Sequence, residues 1–235
     1  MKSKTIYYQD GEQKLIGELF LAEEASATIV LFPAFEGRSK FLLDYAYKLT
    51  QYGFNTFAAD IYGDAQTAAT IEGCFDLVMP FIEDRALVRR RSCLVVETVR
   101  ELRLTSQLGV MGFCFGGMCA LEVARAGIDI DRVAVLHGVL AKSALPTEMI
   151  KAKLLFLQGY QDPQVPPSQL TDIANELQQA ENNDWTFTFF GDAKHSFTDP
   201  LTGTFSPDKE KEMGREYNKI IAEQAFRYVL DFMQY

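Results

Sequence analysis

The chain is short of the residues that hold metals or staple small domains. Its two histidines, His137 and His195, are far apart, and its four cysteines, Cys74, Cys93, Cys114 and Cys119, form no C-x-x-C pair. That excludes the usual ligand spacings of a metal site and any disulfide framework. Four unpaired thiols fit a reducing compartment. No run reaches about 18 continuous apolar residues, and Met1–Tyr7 lacks the apolar core of a secretory signal, so the expectation is a cytoplasmic protein with no membrane span. Neither G-x-x-x-x-G-K-[ST] nor G-x-G-x-x-G occurs, so no nucleotide cofactor is expected.

Positive charge is scarce as well. Lys and Arg number 23 against 32 Asp and Glu, a formal net charge of −9. Such a balance repels nucleic-acid backbones and anionic membrane surfaces. The densest basic run, Arg89-Arg90-Arg91, falls in Asp84–Leu104, where Leu87, Val88, Leu94, Val95, Val99 and Leu102 recur at helical spacing. Most of those arginines are therefore expected on a solvated helix face. The expected partner is a small molecule, with no cofactor, metal, nucleic acid or membrane, and the sequence says nothing firm about oligomeric state.

What is present is ample apolar content, 48% over 235 residues, enough for one domain, residues 1–235, around a covered sheet. Thr5–Gln9 and Lys14–Phe20 alternate around Asp10-Gly11 and predict a hairpin. Apolar runs Thr28–Phe32, Phe54–Ala58, Leu108–Met111, Arg132–Leu136, Leu154–Gln158 and Thr186–Phe190 read as further strands. The helical stretches are Phe41–Gln51, Asp84–Leu104, Gly117–Ala126, Ser168–Gln179 and Lys209–Met233. The pattern predicts an α/β protein with a mostly parallel central sheet, helices on both faces and an N-terminal antiparallel hairpin. Ligands of such sheets bind beyond the carboxyl ends of the strands.

Gly112-Phe113-Cys114-Phe115-Gly116 stands where one of these strands gives way to a helix. A G-x-C-x-G turn there forces its middle residue into a strained conformation with the side-chain tip presented for attack. The N-terminus of the following helix favours thiolate over thiol. A buried cysteine on a glycine-rich turn is the plain alternative. Two later segments favour the chemical reading. Gly159-Tyr160-Gln161-Asp162-Pro163 puts a carboxylate on the loop after one strand, and Lys194-His195-Ser196 puts a histidine on the loop after the next. Nucleophile, acid and base thus follow in the order that a hydrolase of this type requires.

These residues, with Pro33-Ala34-Phe35-Glu36-Gly37-Arg38 and Ala58-Ala59-Asp60-Ile61-Tyr62-Gly63-Asp64, resemble the dienelactone hydrolase family of the α/β-hydrolase superfamily, from about Tyr7 onward. The resemblance implies an α/β-hydrolase fold and a triad of Cys114, Asp162 and His195. It also implies cysteine-dependent hydrolysis of a small ester or lactone through an acyl-cysteine. Amides of Phe35 and Phe115 would form the oxyanion hole. A thioesterase or other acyl hydrolase with the same triad is the nearest alternative. A non-catalytic binding or redox-sensing protein that uses Cys114 as an oxidisable thiol is the more distant one.

The family also has a glutamate on the first loop that acts on the resting cysteine. Some relatives carry it where this chain has Ala34, so Glu36 either replaces it from a neighbouring position or faces solvent. Arg85 falls where the family often has a substrate-contacting arginine. His137 is expected at the rim of the site, contacting substrate or bonded to a loop carbonyl, and Cys119 is expected to pack as a small apolar group.

Overall fold

The computed structural model describes residues 3–234. Its first two strands, β1 (Ser3–Asp10) and β2 (Gln13–Phe20), pair antiparallel with Tyr8 opposite Leu15. Between them Gly11 takes φ 62°, the left-handed conformation that a tight hairpin turn requires. β2 then runs antiparallel to β4 (Phe54–Ala58), joining the hairpin to a sheet of order β1-β2-β4-β3-β5-β6-β7-β8.

From β4 onward all neighbours are parallel: β3 (Ala27–Phe32), β5 (Leu108–Phe113), β6 (Arg132–Leu136), β7 (Lys153–Gly159) and β8 (Trp185–Phe190). β3, β4 and β5 are buried along their whole length. That explains why they read as unbroken apolar runs, since helices cover both faces of a parallel sheet. The helices are α1 (Lys40–Thr50), α2 (Ile71–Glu83), α3 (Arg85–Glu101), α4 (Phe115–Arg125), α5 (Pro167–Gln179), α6 (Pro207–Glu212) and α7 (Lys219–Met233). The mostly parallel sheet with its antiparallel hairpin is the α/β-hydrolase arrangement that the sequence predicted.

Three features depart from the sequence reading. Helix α2 was not foreseen. It is capped by Thr70, whose hydroxyl accepts from Gly73 N, and Gly73 and Pro80 inside it mask its apolar spacing. A second cap, Asp84 accepting from Leu87 N, starts α3 immediately after it.

The expected single helix Lys209–Met233 is two. Gly214 adopts φ 70° and stops α6, and α7 starts afresh at Asn218, whose side chain accepts from Ile221 N. A side chain at Gly214 would collide with the Pro163 ring, so the break rests against the loop that carries Asp162.

The arginine run is mostly not solvated. Arg91 is buried, donating to Asp10 Oδ2 and to the carbonyls of Ile61 and Tyr62, and Arg89 reaches the buried Glu122. Only Arg90 is well exposed, while still pairing with Asp10. Long guanidinium side chains can span from a helix surface to buried acceptors, which apolar periodicity does not reveal. Among the described residues no helix is long and apolar enough to cross a membrane.

Candidate active site

β5 ends at Phe113, α4 begins at Phe115, and Cys114 between them has φ 52° and ψ −116°. A non-glycine residue held there costs on the order of 1–3 kcal/mol, strain that folds retain where the side chain must be aimed. The flanking glycines have a steric cause. A Cβ on Gly112 would collide with the carbonyl of Gly116, and one on Gly116 with that of Phe32. Cys114 N donates to Leu136 O, and its carbonyl accepts from Gly117 N and Val139 N, so the turn is fixed from both sides.

Asp162 and His195 come from the loops after β7 and β8. Their side chains are fully buried, and His195 Nδ1 lies 2.7 Å from Asp162 Oδ2. The other carboxylate oxygen accepts from Gln164 N at 2.8 Å, which fixes the rotamer. His195 is held by its backbone too: its N donates to Gly214 O and its carbonyl accepts from Glu216 N. The break between α6 and α7 therefore supplies the main-chain partners of the histidine. Nε2 makes no hydrogen bond of ordinary geometry among the described residues. Burial alone would lower the His195 pKa, but the neighbouring Cys114 sulfur and then Asp162 outweigh it and raise the value to about 9.

Phe115 follows Cys114 directly, and Phe35 is tied to it through Tyr62. Phe115 is the first residue of α4, so its N–H has no partner inside the helix. Tyr62 ties the two loops together: its hydroxyl donates to Phe35 O at 3.1 Å, and its ring stacks on Phe115 with centroids 5.8 Å apart.

Glu36 does not face solvent. It is 2% exposed, and its Oε1 accepts from Arg215 at 2.6 Å while Oε2 lacks a partner among the described residues. Arg215 is the residue that the sequence reading missed. Its guanidinium also lies 3.4 Å from Glu210 and 4.4 Å above the Phe35 ring. Burial would lower its pKa, yet the charges of Glu36 and Cys114 raise it. Burial, reinforced by Glu36, raises the Asp199 carboxyl to about 7. The one available signal was Gly214, a glycine inside a presumed helix.

The remaining candidates are placed as follows. His137 is buried, with Nε2 2.7 Å from Thr198 Oγ1 and its ring 5.4 Å from that of His195. Its partner is thus a hydroxyl, where the sequence offered a carbonyl or a substrate. Burial, then His195 and Arg215, push its pKa well below 6.5, so it is a neutral neighbour. Arg85 reaches the other end of α4, its guanidinium 3.6 Å from Glu122. Cys119 is buried, and burial pushes its thiol up to about 12. Among the described residues no group of three or more His, Cys, Asp or Glu is placed to hold a metal ion.

Comparison with known proteins places this geometry. Residues 17–235 match the dienelactone hydrolase family. The chain belongs to the dienelactone hydrolase family. It is accordingly a hydrolase acting on ester bonds. A probable 2-oxo-3-(5-oxofuran-2-ylidene)propanoate lactonase of Bradyrhizobium sp is 25% identical over 76% of this chain and 76% of its own. An uncharacterized protein of Caenorhabditis elegans is 33% identical over 54% of this chain and 79% of its own. Among solved structures, a dienelactone hydrolase-like promiscuous phosphotriesterase from metagenomic libraries superposes with a TM-score of 0.89 at 28% identity, covering 98% of this chain and 96% of its own. A putative dienelactone hydrolase from Klebsiella pneumoniae, at 17% identity and a TM-score of 0.76, covers 100% of this chain and 99% of its own and shares the fold.

Proposed function

We propose that the chain hydrolyses a small ester or lactone through an acyl-cysteine on Cys114. The observation that carries this reading is the buried His195–Asp162 pair at 2.7 Å beside a cysteine held at φ 52° on a strand-to-helix turn. Asp162 fixes the imidazole with Nδ1 protonated, leaving Nε2 to take the thiol proton. The sulfur lone pair attacks the acyl carbon, and the carbonyl π electrons move onto oxygen, where the Phe35 and Phe115 amides receive the charge. Collapse breaks the bond to the leaving alkoxide, which takes the proton from His195. In a lactone that alkoxide stays tethered to the acyl group. Water, deprotonated by His195, then attacks the thioester; the sulfur leaves and is reprotonated, which frees the carboxylic acid.

Glu36 and Arg215 complete the site as a buried charge pair. Their pairing supports the reading in which Glu36 stands in for the family's first-loop glutamate. We propose no substrate contact for Arg85, whose partner is Glu122.

The test is purified protein against short-chain nitrophenyl esters, simple lactones and acyl thioesters, with mass spectrometry of quenched reactions. An acyl adduct on the Cys114 peptide, and loss of turnover in Cys114→Ala, are the expected results. Undiminished hydrolysis by Cys114→Ala would overturn the mechanism. A phosphotriester belongs in the panel because the 28%-identical metagenomic relative is named for that promiscuity.

A further inference from the structure

The sheet has two edge strands, and they are finished differently. β1 carries Lys4, Gln9 and Asp10, and Asp10 is pinned by Arg90 and Arg91 of α3. Charges on an edge, and its attachment to a helix, are the usual protection against pairing with another chain. β8, at the other end of the sheet, reads Trp-Thr-Phe-Thr-Phe-Phe, without charge, proline or glycine.

The β7 ladder fixes which main-chain groups of β8 are used. Leu154 N donates to Asp184 O and Tyr160 N to Phe190 O, in a parallel register with Leu154 opposite Trp185. In such a ladder Asp184, Thr186, Thr188 and Phe190 turn their backbone groups to β7. The N–H and C=O of Trp185, Phe187 and Phe189 point away from the sheet. Side chains of these three residues share one face. The rings of Phe187 and Phe189 are stacked 6.0 Å apart, and Trp185 meets Phe187 edge-on at 5.6 Å. Trp185 is 36% and Phe189 44% exposed. Such a stripe on an unguarded edge is a template for another strand.

We infer that β8 is a dimer edge, on which two copies of the chain pair their β8 strands antiparallel about a two-fold axis at Phe187. The axis sets Phe187 opposite its own copy and Trp185 opposite the partner copy's Phe189. Every outward N–H and C=O of these residues then meets a complementary group, as an isologous contact demands. The charges allow it. In this register Asp184 faces a phenylalanine, Phe190, and Asp192 faces an asparagine, Asn182, so no acid meets an acid. The register also fills a hollow. A cavity of about 380 Å³ lined by Tyr160, Val165, Leu170 and Phe189 opens beside Asp162, and the opposing Trp185 is the large apolar side chain delivered beside it.

Trp185 is the only tryptophan in the chain, so its fluorescence reports on this edge alone. Sedimentation velocity of the full chain from nanomolar to hundred-micromolar concentration is expected to show a monomer–dimer equilibrium. Tryptophan emission should shift to the blue along the same concentration curve. Phe189→Pro removes an outward donor without breaking a β7 bond, and Phe189→Lys places a charge on the edge. Each is expected to weaken association at least tenfold while far-ultraviolet circular dichroism stays native. Should the proline variant not fold, the lysine variant and amide exchange of the wild-type chain decide, the amides of Trp185, Phe187 and Phe189 slowing on association. A wild-type chain that stays monomeric throughout, or a dimer indifferent to both variants with those amides exchanging freely, overturns the inference.

Discussion

Helix α4 has a buried charge cluster at each end, and the two are built to different ends. At its C-terminal end Glu122 is fully buried and uses both carboxylate oxygens. Oε1 accepts from Arg125 at 3.0 Å, with Arg85 3.6 Å away, and Oε2 accepts from Arg89 at 2.8 Å. Arg125 adds a two-pronged bond to Glu176, which also accepts from Thr147. At the N-terminal end the cluster of Cys114, His195, Glu36 and Arg215 leaves Glu36 Oε2 without a partner among the described residues, and His195 lies against the Cys114 sulfur. Buried polar atoms are normally satisfied, so unsatisfied ones ask for a reason. What is left over differs: at one end guanidinium N–H groups of Arg85 and Arg89 around a carboxylate with both oxygens taken, at the other an idle carboxylate oxygen beside a strained cysteine and a histidine. Both obey the helix dipole, with Arg125 at the C-terminal end and the sulfur at the N-terminal end.

The sharpest way to break that contrast is to remove the groups of the proposed triad. Asp162→Asn and His195→Ala are each expected to lower kcat on a good ester by about 10⁴, with the chain still folded at the assay temperature. Stopped-flow or steady-state hydrolysis checks the first part and calorimetry the second. Near-normal turnover in either variant would remove that residue from the mechanism.

The opposite pattern is expected at the other end of the helix. Glu122→Gln leaves Arg85, Arg89 and Arg125 facing each other without their shared counter-charge. Breaking one partner out of such a buried pair typically costs about 3–5 kcal/mol. Denaturant titration should show that loss, while the folded fraction still has Cys114 alkylated at the wild-type rate at neutral pH. A stable Glu122→Gln protein with altered Cys114 reactivity would mean that the two clusters are coupled.

How far the site could be read from sequence follows from where its constraints lie. The elbow was legible because two glycines with steric roles bracket Cys114 within five residues. Asp162 and His195 were legible because each follows an apolar strand, and loop position after a strand predicts position in space. Arg215 was not, since the helix that would have carried it is broken at Gly214, and the break depends on packing against Pro163 and on bonds to His195, which are tertiary facts. Helix α2 was hidden for a local reason, Gly73 and Pro80 lying inside it. The arginine run misled because periodicity locates Cα atoms and says little about where a long guanidinium ends. For Arg85 the expected place was a family habit, and its side chain meets Glu122.

Titration offers a smaller effect confined to the N-terminal cluster. Asp199, raised to about 7, binds its proton more tightly folded than unfolded, so its contribution favours folding at low pH and is lost as pH climbs from about 4 through 7. His195, raised to about 9, contributes fully below pH 6.5 and loses that contribution as pH rises through 9. Stability of the wild-type chain is therefore expected to decline in two steps between pH 4 and 10. Asp199→Asn, which keeps an oxygen for Leu201 N, should flatten the first step and gain on the order of 3 kcal/mol at pH 8 and little at pH 4. Parallel curves for variant and wild type would show that Asp199 ionises without strain.

The finest probe of the comparison is Glu36. Its carboxylate is bonded to Arg215 on one oxygen and idle on the other, and both Glu36 and Cys114 act on that arginine. While Glu36 is charged, Arg215 is largely neutralised as seen from the sulfur. Glu36→Gln would release the guanidinium to stabilise negative charge on Cys114 and would remove a like charge from its surroundings. Alkylation of Cys114 at pH 6 to 7 is then expected to speed up about tenfold, the effect of one neighbouring charge worth about 1.4 kcal/mol. Ester hydrolysis should slow, because a sulfur paired with Arg215 is not aimed at an acyl carbon. Arg215→Met should do the reverse to alkylation, leaving Glu36 uncompensated beside the thiol. The measurement is the pH dependence of Cys114 alkylation in the three proteins. Cys74, Cys93 and Cys119, pushed by burial to about 12, 11 and 12, should stay unmodified throughout. Superimposable profiles would confine Glu36 and Arg215 to holding the Phe35 loop, and the two ends of α4 would then differ only by the elbow and its histidine.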